Sequence, residues 1–327
     1  MLLWLAPISV AATPPVLELP VDCDSVDGCM IQNYFDHDSG PGFADHHCGA
    51  LGYDGHDGID FRLRDLGEMQ RGVPVRAAAA GRVRAVRDSM PDISLRDLDD
   101  RAEIEGREAG NSVAIRHGDG WETQYSHLKL GSIRVRPGDE VAAGQVIGEI
   151  GLSGKSEFPH LHFSVRQGRT EIDPFVGPQD AFACGGGLQP LWSEAALARL
   201  AYRATGLIQA GLTDRRPDIR GIEQGNDRKT RLTPDSGALV FWVELYGVQR
   251  GDRQHLIIRD PRGRMLVERD DVLDKDKARW FSYVGRRRPA DGWPAGVYRA
   301  TFSLRRGAGQ GEPVLELERL VTVGPVD

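Results

Sequence analysis

The sequence predicts an all-β protein in two parts, a first β domain followed by a β-sandwich of immunoglobulin-like architecture, with a short helical linker between them. Three observations carry this. From Gly52 to Pro178, short runs alternate apolar and polar residues between turns, the period of half-buried strands. No long helical period interrupts the series. After Gly237 further short strands follow at the spacing of a sandwich.

Taken in order, residues 1–12 read as a signal peptide: an apolar run with Leu2, Leu3, Leu5, Ile8 and Val10 ends in small residues before Thr13-Pro14-Pro15, although no basic residue precedes it. Residues 13–50, rich in Pro, Asp and Gly, read as an irregular arm. Residues 51–180 form the first β domain. Val73–Ala77, Arg82–Val86, Ser112–Arg116, Trp121–His127, Ile133–Asp139 and Glu140–Gly148 supply its strands, and Gly118-Asp119-Gly120 supplies a hairpin turn. Ser89–Ala109, dense in Asp, Glu and Arg, reads as a solvated loop with a helical turn. Residues 181–206 are a linker: Gly185-Gly186-Gly187 is a joint, and Ser193 caps a helix over Glu194–Ala204 that Gly206 ends. Residues 207–327 form the sandwich, with strands at Ala238–Tyr246, His255–Arg259, Arg279–Val284, Gly296–Leu304 and Val314–Val323. Its aromatic residues Trp242, Trp280, Phe281, Trp293 and Tyr298 read as core rather than as a glycan platform, and Arg286-Arg287-Arg288 as a solvated loop.

Composition narrows the function. The chain has 327 residues and a net charge of −7, so it is not a nucleic-acid binder built on a basic face. No apolar run is long enough to span a bilayer. Residues 1–61 contain ten acids and no Lys or Arg, so the acidity is concentrated at the start. Four cysteines, Cys23, Cys29, Cys48 and Cys184, fit two disulfides with three possible connectivities, a short Cys23–Cys29 loop leaving Cys48 to reach Cys184. With the N-terminal run, they indicate an exported protein of the periplasm or the extracellular space. The sequence assigns no oligomeric state.

Chemistry concentrates in histidine motifs: His56-Asp57-Gly58-Ile59-Asp60, Tyr125-Ser126-His127-Leu128 and Pro159-His160-Leu161-His162-Phe163. A catalytic zinc site needs three N or O ligands and one open position. His56, Asp60 and one histidine of the pair meet that need. Four residues extended span roughly 13 Å, so the chain must turn between His56 and Asp60, which Gly55 and Gly58 permit. His160 and His162, two apart on a strand, share a face. No His-Glu-x-x-His helix and no Gly-x-Ser-x-Gly elbow is present. The histidines not bound to metal suit proton transfer and oxyanion stabilisation.

The ordered set Gly55–Phe61, Gly72–Ala77, Ala80–Val83, Gly110–Val113, Tyr125–Leu128, Gly138-Asp139, Gly144–Gly148 and His160–Phe163 closely resembles the lysostaphin-type zinc peptidases over residues 50–178. The resemblance implies a compact antiparallel β-sheet groove for the first domain, one Zn²⁺ per chain and endopeptidase cleavage of peptidoglycan stem peptides or cross-links. It assigns His56, Asp60 and His162 as metal ligands and His127 and His160 as the catalytic histidines. Glu157-Phe158 stands where the family carries small residues, which would narrow or re-aim the groove. The competing function is a non-catalytic wall-binding protein or an activator of other wall hydrolases. A latent form, in which Asn33, Asp36, His37, Asp38, His46 or His47 of the arm fills the open metal position, is set against their reading as hydrated turn residues.

Overall fold

The computed structural model describes residues 13–22, 30–98, 100–178, 188–307 and 312–325. The signal-peptide reading of residues 1–12, the Gly185–Gly187 joint, and Cys23, Cys29 and Cys184 of the disulfide reading lie outside the described residues. Cys48 is free and exposed.

Ten strands build the first part among the described residues: β1 (Ile31–Asn33), β2 (Ile59–Arg62), β3 (Pro74–Arg76), β4 (Gly81–Arg87), β5 (Asn111–Gly118), β6 (Trp121–Leu128), β7 (Glu140–Val141), β8 (Val146–Glu149), β9 (His160–Gln167) and β10 (Thr170–Ile172). Eight of them form one antiparallel sheet in the order β1-β2-β9-β6-β5-β4-β7, with β10 on β9, and β3 pairs β8 apart from it. Alternation along β2, β6 and β9 puts Ile59, Phe61, Tyr125, Leu161, Phe163 and Val165 into the hydrophobic core. Asp60, Arg62, Ser126, His160 and His162 fall on the opposite face. That face is covered as well: Asp60 and Arg62 are 2% and 4% exposed.

Several expectations need correction. The arm is not irregular throughout. Leu17 bridges Trp192, Val21 bridges Val75, and β1 adds to the sheet edge beside β2. Ile133–Asp139 forms no strand, because Pro137-Gly138 turns the chain before β7. Ser89–Ala109 is anchored: Asn111 Oδ1 accepts from the Ser89 and Met90 amides at 2.8 Å, and Met90 is buried. Its helical turn is a 3₁₀ turn at Arg101–Ile104. A short helix, α1 (Leu66–Arg71), was not anticipated, though Asp65 three residues before Glu68 caps it and accepts the Glu68 amide at 2.8 Å. Helix α2 (Glu194–Arg199) starts at the Ser193 cap but ends well short of Ala204.

The second part has β11 (Gly206–Thr213), helix α3 (Ile219–Glu223), β12 (Arg231–Leu232), β13 (Ala238–Val248), β14 (Arg253–Arg259), β15 (Met265–Val272), β16 (Lys277–Arg287), β17 (Gly296–Arg305) and β18 (Pro313–Val323). Two sheets, β11-β13-β16 and β12-β18-β17-β14-β15, share one core of Phe241, Val243, Leu256, Tyr298 and Phe302. Trp242, Trp293 and Tyr298 are buried, as core aromatics should be. Strand β15 carries no buried apolar stripe to mark it in the sequence, because Met265–Val272 alternates half-buried and exposed positions at a sheet edge. Ile208 of β11 and Tyr246 of β13 belong to the first core, so the two parts are packed together.

Candidate metal centre

Strand register brings the histidine motifs together. Asp60 of β2 stands opposite His162 of β9, and His162 stands opposite Ser126 of β6. Paired residues share a face, so register alone aims Asp60 and His162 at one point. His56 arrives there from the turn before β2. Gly58 makes that turn possible, since a Cβ on it would stand 2.7 Å from His162 Nε2.

His56 Nε2, Asp60 Oδ1 and His162 Nδ1 then converge. Their separations are 3.1 Å, 3.0 Å and 3.2 Å. Ligands about 2.0–2.1 Å from a tetrahedral ion stand roughly 3.3–3.4 Å apart, so the three donors fit one cation with a position left open. They are the one group of metal-competent side chains found among the described residues.

Hydrogen bonds fix which atoms face inward. His56 Nδ1 donates to the Tyr34 carbonyl at 2.6 Å, leaving the Nε2 lone pair for the centre. His162 is turned the other way: its Nε2 lies 3.2 Å from Asp57 Oδ1 and its Nδ1 faces Asp60. Asn33 Nδ2 donates to Asp60 Oδ2 at 2.8 Å, so only Oδ1 remains available. Such outer partners orient ligands and raise their basicity. Asn33, Tyr34 and Asp57 were not assigned these roles from sequence. Tyr34 acts through its backbone and leaves no side-chain signal, whereas Asp57 sits in plain view beside His56.

His127 and His160 flank the cluster. Their ring centroids are 4.7 Å apart, and the His127 ring lies 6.0 Å from that of His162. His127 Nδ1 donates to the Ser153 carbonyl at 2.8 Å and His160 Nδ1 to the Phe158 carbonyl at 2.9 Å. His160 Nε2 is 3.5 Å from Asp60 Oδ1. His127 also holds a φ of 62°, a left-handed conformation uncommon outside glycine. Its amide donates to the Ala109 carbonyl and its carbonyl accepts the Gly151 amide, bonds that hold it there.

Charge states follow from burial and neighbours. Burial pushes His127 well below the usual imidazole range, with His160 and His162 adding to the effect, and burial lowers His160 too. Burial also opposes protonation of His162, but hydrogen bonds to Asp57 and Asp60 outweigh it and raise it to about 9. Asp60 is raised by burial, yet His56, His160 and His162 together hold it well below the carboxylate range. A positive charge is thus favoured at the centre of the cluster, while the two flanking imidazoles stay neutral.

Glu157 and Phe158 divide their work. Phe158 packs on His160 with ring centroids 4.7 Å apart and carries the Arg62 guanidinium 4.1 Å above its ring. Glu157 pairs with Arg96 of the Ser89–Ala109 segment at 2.7 Å, and Arg96 reaches Glu223 of α3 at 3.0 Å. In the arm, His37 pairs with Asp173 at 2.7 Å, His46 is 3% exposed and stacks on Phe175, and His47 stacks on Tyr202. Asp36 caps the arm's own turns. The hydrated-turn reading therefore fails for His46. Apart from Asn33, which contacts Asp60 from outside, none of these residues joins the cluster.

Part of the chain is similar to known proteins. The DD-carboxypeptidase/endopeptidase Mpg of Neisseria meningitidis serogroup B is 33% identical over 121 residues, 36% of this chain and 22% of that protein. The peptidoglycan DD-endopeptidase ShyA of Vibrio cholerae is 44% identical over 57 residues, 17% of this chain and 13% of that protein. The chain thus spans about a fifth of the meningococcal relative, 22% of its length. A crystal structure of a zinc-containing peptidase from Vibrio cholerae is 27% identical, with a TM-score of 0.33 over 49% of this chain and 39% of that one. Residues 54–174, which hold every residue of the histidine cluster, match peptidase family M23.

Proposed function

We propose that this chain is a zinc-dependent endopeptidase that hydrolyses peptide bonds of peptidoglycan, in stem peptides or cross-links. The observation that carries the reading is the convergence of His56 Nε2, Asp60 Oδ1 and His162 Nδ1 within 3.0–3.2 Å inside the stretch that matches family M23. His56, Asp60 and His162 would hold one zinc ion per chain. When bound, zinc supplies a Lewis acid that polarises a carbonyl and acidifies a water. His127 and His160 do the proton work. Each has Nδ1–H committed to a backbone carbonyl, which leaves Nε2 as the basic atom, so one of the two takes the single proton released by the attacking water and passes it to the leaving amine. Their neutrality suits this role, because a base must begin unprotonated. While that proton is held, the Nε2–H can donate to the tetrahedral oxyanion.

The names of the relatives support the wall substrate. The N-terminal apolar run and the four cysteines support export to the periplasm or extracellular space, and no described helix is long and apolar enough to cross a membrane. The strand order supports an immunoglobulin-like second domain over 207–327: sheets of first, second and fifth long strands against the remainder, with β12 parallel to β18.

The test is metal analysis joined to hydrolysis of isolated sacculi, with mass spectrometry of the released peptides. One equivalent of zinc and new peptide termini in the parent, both lost in His162→Ala, are expected. Zinc-free parent protein that binds sacculi without cutting them would replace this reading with that of a wall-binding protein.

A further inference from the structure

A cavity of about 950 Å³ opens where the two parts meet, between the end of β2 and α1 on one side and β11 and β18 on the other. Its wall carries seven arginines and one carboxylate, Glu68. The chain as a whole has the opposite balance, 48 acids to 41 bases. Carboxylates hold Arg64 (Glu68, 2.9 Å), Arg306 (Asp252, 3.0 Å) and Arg228 (Asp65), and Arg319 donates to the Glu318 carbonyl at 2.9 Å. Arg203 is exposed and makes no ion pair among the described residues.

Arg62 is the unusual member. It is 4% exposed, one guanidinium nitrogen donates to Gln32 Oε1, and its Nε has no hydrogen-bond partner. A buried cation with an unmade hydrogen bond is costly unless an acceptor arrives. Arg62 lines this cavity as well as a second, smaller one that it shares with Phe158, so an oxyanion in the larger cavity is one acceptor within its surroundings.

We propose that this cleft is a binding site for an oxyanion-bearing ligand, whose charged groups are phosphate or carboxylate, with Arg62 buried at its base and Arg203 and Arg319 recruiting the charge. Guanidinium forks match both groups bidentately. The volume exceeds what one such group fills and suits a molecule or chain segment carrying several. The proposal stands apart from the catalytic reading, since no residue of the histidine cluster lines the cleft.

Isothermal titration of the full chain with inorganic tripolyphosphate and with citrate, at about 0.15 M salt, tests it. Saturable one-site binding of at least one probe is expected, and the tighter probe identifies phosphate or carboxylate as the recognised group. The double variant Arg203→Glu/Arg319→Glu should weaken it about tenfold or more. Arg286→Glu/Arg287→Glu, with the same charge change on exposed β16 positions, should leave it intact. His162→Ala should also retain it, which separates the cleft from chelation at the histidines. The idea falls if the parent binds neither probe, if the two double variants behave alike, or if binding disappears in His162→Ala.

Discussion

At the level of single residues, the centre is defined as much by what holds the histidines as by the histidines themselves. His56, His127 and His160 all spend Nδ1–H on backbone carbonyls, whereas His162 turns Nε2 to Asp57 and Nδ1 to Asp60. That inversion makes Asp57 a positioning residue. Asp57→Asn keeps an acceptor for His162 but removes the charge, and Asn33→Ala frees Asp60 Oδ2. Each should weaken zinc binding about 10–100-fold, measured by competition with a chromogenic chelator. Unchanged affinity in both would mean that these contacts do not orient ligands. His56, Asp60, His127, His160 and His162 were legible because their spacing is a chemical pattern. Asn33 and the Tyr34 carbonyl were not, because they come from a segment whose sequence carries no strand period and reaches the site only through β1 pairing with β2.

Among elements, the turn before β9 shows how a local sequence departure is absorbed. Phe158 supports His160 from one side, and Glu157 is drawn off by Arg96, which also binds Glu223 of α3. The acidic segment Ser89–Ala109 is thereby a strap joining the turn to the second part rather than a free loop. Its ion pairs are partly exposed and worth at most about 1 kcal/mol each. Arg96→Ala should therefore leave global stability within about 1 kcal/mol in denaturant melts. It should still speed amide exchange at Leu95 and Lys155, whose bonds to Ser156 and Glu108 tie the strap to the turn. Unchanged exchange at those two amides would show that the ion pairs do not hold the strap. Neither α1 nor α3 was legible, because five or six residues give too little helical period to stand out.

For the whole molecule, the decisive feature is that the cores are not separate. Tyr246 and Ile208 lie on strands of the second part yet pack with the first core, near Tyr34 and Tyr202. Tyr246→Ala should cost about 3 kcal/mol or more through the cavity it leaves. Followed by hydrogen exchange, β9 and β13 should both lose protection; a loss confined to β13 would mean the parts unfold independently. The sequence by itself determined the β class, the histidine set and the turn that His56 needs, because these depend on residue spacing and on chemistry carried within short segments. Tertiary structure alone decided that Asp60 meets His162, that Asn33 and Tyr34 brace the centre, and that seven arginines far apart in the chain face one cleft. Those outcomes depend on strand register and on the packing of one part against the other, and neither is written in any local stretch of sequence.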